Sequence, residues 1–208
     1  MTRASDVAEA VACGARYVGG VMAGGPRHQS PTQLRALFAP VTSTVQTVGV
    51  LGVGAPRALV QAALDAGVDI LQLHGTDDRD ELREVRALWK GELWVVARVA
   101  DAIALRAAAD RLAVGDAVVL EAKVEGALGG TGVTLPWAAI ADAAHDVCGA
   151  RPLILAGGLR PENVAEAVAA VGPSIVDVSS GVESAAGIKD HSRMHAFAKA
   201  MREGSLVQ

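Results

Sequence analysis

The chain has 208 residues, 51% of them apolar and only 3% aromatic, and carries a formal net charge of −4 at neutral pH. That length suits one domain with a substantial core, while the charge offers neither a basic patch for nucleic acid nor a cationic face for a membrane. Few rings are available to stack on bases, no apolar run reaches the roughly 18 residues of a membrane span, and the start has no signal-peptide h-region.

The first segment, MTRASDVAEAV, places Ser5 or Asp6 to cap a helix whose apolar positions Val7, Ala10 and Val11 recur at helical spacing. Short β-branched runs then alternate with longer amphipathic ones. RYVGGVM precedes PTQLRALF, TVGVLGV precedes PRALVQAALDAG, and DILQLHG precedes RDELREVRALW. LWVVARV leads to DAIALRAAADRL, DAVVLEA to WAAIADAAHDV, PLILAGG to PENVAEAVAAVG, and SIVDVSS to DHSRMHAFAKAM. Apolar strands separated by helices indicate a parallel sheet covered on both faces. No linker interrupts the pattern, so residues 1–208 read as a single α/β domain.

The opening helix has no strand of its own, and each of the seven strands has a helix after it. This count suggests a (βα)8 TIM barrel with strand one missing from the chain; a seven-stranded doubly wound sheet competes. The Gly-rich turns AGGLRPENV and SSGVE favour the barrel, because each follows a strand near the end of the chain. Barrels commonly hold a phosphate there on backbone N–H groups and a helix N-terminus. Gly157, Gly158, Ser179, Ser180 and Gly181 are therefore candidate phosphate-binding residues. Cys13 and Cys148 belong to no CxxC or local Cys/His cluster, which argues against a disulfide framework or structural zinc. The expectation is a soluble, cytoplasmic protein.

GARYVGGVM, GPRHQSP, VGVLGV, DILQLHG, LEAKVEGALGGTG, LILAGGLRPENV and VDVSSGVESAAGIKDHSRMHAF, in that order, resemble the motifs of the phosphoribosylanthranilate isomerase family. The resemblance spans essentially the whole chain. It implies a (βα)8 barrel of tryptophan biosynthesis that needs no metal or redox cofactor and takes a phosphorylated small molecule as substrate. The implied reaction is an Amadori rearrangement, in which an acid opens the ribose ring and a base removes the C2′ proton.

Family members usually begin with a strand and turn reading K-I-C-G, an apolar residue, then T-R or T-N. Met1–Thr2–Arg3 falls on the last three of these positions. The resemblance thus implies that strand one and the catalytic cysteine, the general base, are absent from this chain. Cys13, near the end of the first helix, and Cys148, in the loop entering a strand, are expected to be inert thiols at the wrong end of the barrel. Glu121 takes the place of the family's general acid, normally Asp, with one methylene and about 1.5 Å of extra reach. Asp177 corresponds to a catalytic-site carboxylate near the reacting amine and ribose, and Arg27 to the arginine that holds the anthranilate carboxylate. His74 ends a strand and is expected to line the substrate site, and Gly126–Gly132 to close over it.

Plainer readings accompany these: a rim carboxylate paired with Lys123, a surface arginine, a structural histidine and a flexible connection. At the level of the whole chain, the alternatives are an impaired phosphosugar-binding barrel or an isomerase of another phosphorylated aminoaldose. The expected state is a monomer or weak homodimer.

Overall fold

A computed structural model describes residues 1–122 and 136–205. Seven parallel strands form one sheet in chain order: β1 (Tyr17–Val21), β2 (Gln46–Leu51), β3 (Ile70–Leu73), β4 (Glu92–Val99), β5 (Ala117–Ala122), β6 (Leu153–Leu155) and β7 (Ile175–Val176). Sequential order with every neighbour parallel is the topology of a barrel, whereas a doubly wound sheet reverses its order partway. Helices α1 (Ala4–Ala12), α2 (Pro31–Phe38), α3 (Pro56–Ala66), α4 (Arg79–Leu88), α5 (Ala102–Ala107), α6 (Ala109–Leu112), α7 (Trp137–Cys148), α8 (Val164–Val171) and α9 (His191–Ser205) form the outer layer.

Two apolar layers hold this arrangement. Val48, Ile70, Trp94, Val96, Ala117, Val119, Ile154 and Ala156 pack inside the curled sheet. A larger cluster lies between sheet and helices, with Leu71, Leu73, Leu93, Leu120 and Leu155 meeting Leu34, Leu82, Leu105, Ile140 and Val164. Adjacent residues such as Ile70 and Leu71 enter different layers because successive strand side chains point to opposite faces. Both faces are therefore apolar, which accounts for the near-continuous strand patterns.

Local chemistry sets several helix starts. Ser30 and Gln33 form a reciprocal capping box ahead of Pro31, and Asp78 and Asp101 cap α4 and α5. The opening helix differs from expectation: Arg3 is its N-cap residue and no side chain caps it. Asp6 is instead fully buried, accepting from Arg3 at 2.9 and 2.7 Å, from the Lys189 N–H at 3.1 Å and pairing with His191 at 3.0 Å. Burial alone would raise its carboxyl pKa, but the Arg3 and His191 contacts outweigh that and lower it.

Three other expectations are corrected. The helix expected over 101–112 divides at Ala108 into α5 and α6. The helix expected from Pro161 begins at Val164, after an Asn163-centred turn. The strand expected over 174–180 shortens to Ile175–Val176, followed by a 3₁₀ turn (Ser180–Val182) and an antiparallel hairpin of β8 (Glu183–Ala185) with β9 (Ile188–Lys189). Gly-rich and polar residues there favour turns over continued pairing. No strand precedes α1 among the described residues; Met1 donates its backbone nitrogen to Gly19 of β1, and Thr2 reaches the hairpin carbonyl of Gly187.

Candidate active site

Strand parity determines which residues reach the barrel mouth. Counting by twos from interior Ile70 gives Gln72 and His74, from Val119 gives Glu121, and from Ile175 gives Asp177. All lie at or just beyond strand C-termini, the end where barrels carry their chemistry. The same count from Val96 sends Arg98 inward, with its Cα paired in register to that of Glu121. Gln72 and Arg98 were not singled out by the motifs, although their parity identifies them once the strands are placed.

His74 and Glu121 meet across the interior, Nε2 to Oε2, at 2.7 Å. Glu121 is 8% exposed, so this contact holds its carboxyl in a largely dry setting. Expected pairing of Glu121 with Lys123 falls outside the described residues, as does the Gly126–Gly132 loop. Asp177 follows β7, its N–H bonded to the Leu155 carbonyl at 2.9 Å. Asp177 is solvent-exposed as a residue, yet the protein packed around its carboxyl raises its pKa, opposed by the charge of Lys189 and reinforced by that of Glu121.

The two Gly-rich turns abut. Gly157 and Gly158 follow β6 with φ of +80° and +68°, a region that favours glycine. Asn163 secures this turn by donating to the Gly158 carbonyl at 3.0 Å and accepting from the Arg160 N–H at 2.7 Å. In the second turn, Gly181 approaches the first so closely that a Cβ would lie 1.8 Å from the Leu159 oxygen. Lys189 Nζ donates to the Ser179 carbonyl at 2.9 Å, and Arg193 Nε to the Gly181 carbonyl at 3.1 Å. Both turns are thus braced by side chains that the expected site did not include.

Arg27 follows β1 and is held by Glu183, with Nε at 2.9 and 3.2 Å and Nη2 at 2.6 Å from its oxygens. Lys189 Nζ lies 3.1 Å from Glu183 Oε1. Burial pushes the Glu183 carboxyl up, but these two cations outweigh it and hold its pKa at about 2. From its ordinary 4.5, a depressed folded-state value contributes stability above pH 4.5 that is lost as pH falls toward 2. Urea midpoints of parent and Glu183→Gln should therefore differ by a constant amount above pH 5 and converge between about pH 4.5 and 2.

Neither thiol enters the site. Cys13 follows α1 and lies half-buried beside His195, and Cys148 is the buried last residue of α7 rather than part of a loop. Helices here run back against the strands, so their C-terminal ends lie toward the opposite rim.

A family model described as N-(5'phosphoribosyl)anthranilate (PRA) isomerase matches residues 1–200. An N-(5'-phosphoribosyl)anthranilate isomerase of Pseudomonas fluorescens is 40% identical, covering 97% of this chain and 95% of that protein. The crystal structure of the phosphoribosyl anthranilate isomerase of Thermotoga maritima superposes with a TM-score of 0.86 at 29% identity, covering 97% and 95% of the two chains. A third relative is a phosphoribosyl anthranilate isomerase solved in complex with reduced 1-(o-carboxyphenylamino)-1-deoxyribulose 5-phosphate. It has a TM-score of 0.83 at 28% identity, with 97% and 95% of the chains covered.

Proposed function

The chain belongs to the N-(5'-phosphoribosyl)anthranilate isomerase family, and on that premise we propose how its residues carry the family's reaction. That reaction is the Amadori rearrangement of N-(5-phosphoribosyl)anthranilate to 1-(2-carboxyphenylamino)-1-deoxyribulose 5-phosphate, in tryptophan biosynthesis. The 2.7 Å His74–Glu121 contact on the C-terminal rim is the observation that carries the proposal.

Ring opening needs a proton on the ribose ring oxygen, and Glu121 supplies it. His74 fixes the carboxyl's direction through its 2.7 Å contact, and positioning of this kind is what general acid catalysis requires. Asp177, with its raised pKa, retains a proton more readily than an ordinary carboxyl and hydrogen-bonds the ribose and amine. The phosphate rests on the backbone of Gly157–Gly158 and Ser179–Gly181, anchoring the sugar at a distance from the reacting carbons. Glu183 engages Nε and Nη2 of Arg27, so the anthranilate carboxylate is received at Nη1. We place the activity in the cytoplasm, with the chain a monomer or weak homodimer.

The C2′ proton requires a base. The family resemblance assigns it to a cysteine two positions ahead of Met1, and Cys13 and Cys148 both lie in the outer helical layer. The test is growth of a tryptophan auxotroph lacking this isomerase. It compares the chain as given with chains carrying Lys-Ile-Cys-Gly or Lys-Ile-Ser-Gly before Met1. Growth restored by the cysteine form alone is expected. Equal growth with the serine form would assign proton removal to another group.

A further inference from the structure

Outside the barrel, the first and last helices bring together residues that the isomerase chemistry does not use. Glu9 and Cys13 are four residues apart at the C-terminal end of α1, and His191 and His195 are four apart on α9. That spacing places each pair on one helical face. The faces meet: His195 Nδ1 is 3.6 Å from Cys13 Sγ, His195 Nε2 is 2.5 Å from Glu9 Oε1, and His191 Nδ1 is 3.5 Å from Glu9 Oε2. One ligand atom from each of Glu9, Cys13 and His195 lies within 4.8 Å of the others.

We propose that Glu9, Cys13 and His195 form a zinc-class divalent metal site that clamps α1 to α9. Bond lengths of about 2.3 Å to sulfur and 2.0–2.2 Å to nitrogen or oxygen place tetrahedral ligands roughly 3.3–3.7 Å apart. The 3.6 Å sulfur–nitrogen separation already fits this spacing. His195 is exposed, so its ring can turn to meet the ion with little repacking. Thiolate, imidazole and one carboxylate suit zinc or cobalt, whereas calcium and magnesium take oxygen ligands.

Water or His191 can fill the fourth position. His191 is oriented by buried Asp6 at 3.0 Å, an arrangement that often steers a metal-binding imidazole. Burial and Glu9 raise the thiol's pKa, while Arg202, reaching the Cys13 carbonyl at 3.5 Å, favours the thiolate. Metal binding would displace the thiol proton. The sequence has no local ligand pattern because Cys13 and His195 are 182 positions apart.

The test uses the full chain, untagged and chelator-treated, titrated with cobalt and then zinc. Cobalt should produce a thiolate-to-metal charge-transfer band that zinc abolishes. Zinc at a hundred times its Kd should raise Tm by about 5–10 °C. Cys13→Ser and His195→Gln should lose both signals while their metal-free Tm stays near the parent's. Cys148→Ser should retain both and serves as the control for the second thiol. A band and Tm shift that persist in Cys13→Ser, or that are absent from the parent, would overturn the site.

Discussion

Glu121→Gln should lower kcat of the cysteine-extended chain about 10²–10⁴-fold, the usual contribution of a positioned general acid. The amide has nearly the same shape and can still meet His74, but it cannot release a proton to the ribose oxygen. Melting temperature should change little, since the replaced group keeps a hydrogen-bonding partner in its largely dry setting. A kcat within threefold of the parent would move the acid role elsewhere, with Asp177 the next group to test because its pKa is raised. His74→Asn separates positioning from chemistry. It should lower kcat less than Glu121→Gln, because it loosens the acid's orientation while leaving the carboxyl itself in place.

Gly181→Ala should lower kcat/KM about 10²-fold, chiefly through KM, because it forces the two phosphate-side turns apart. The added Cβ would lie 1.8 Å from the Leu159 oxygen and 2.9 Å from its carbonyl carbon. Both are backbone atoms, so relief requires moving the chain rather than rotating a side chain. A misplacement of about 1 Å in a positioning element can reduce rate by that factor. Binding of inorganic phosphate should weaken in parallel, while near-ultraviolet circular dichroism should show that the barrel remains folded. Unchanged phosphate binding would remove these turns from the substrate site. Gly24→Ala is a useful control, because a Cβ there meets nothing within 4 Å.

The contrast between these sites also shows what can be read from a sequence. His74 and Glu121 were accessible because each ends an apolar run with a definite parity, and motif resemblance named their position. Their 2.7 Å contact was not, because it depends on how far the sheet has curled between β3 and β5. Arg27 illustrates the limit more sharply. Its motif suggests an arginine awaiting a carboxylate, yet the fold supplies Glu183 from 156 positions away. Helix starts divide in the same way. The Ser30 and Asp78 caps involve close neighbours in the chain, whereas Asp6 bonds His191 and the Lys189 N–H across the molecule.

By itself, the sequence determined the alternation of strands and helices and their order, and its Gly-rich turns and family resemblance favoured the barrel over a doubly wound sheet. Hydrophobic periodicity, turn chemistry and strand parity act over a few residues and leave their signature in local patterns. Only the tertiary structure decided the partners of Glu121, Arg27 and Asp6, the bracing of the Gly-rich turns and the meeting of Cys13 with His195. Those contacts depend on angstrom-scale distances set by sheet curvature and helix packing, which no local periodicity specifies.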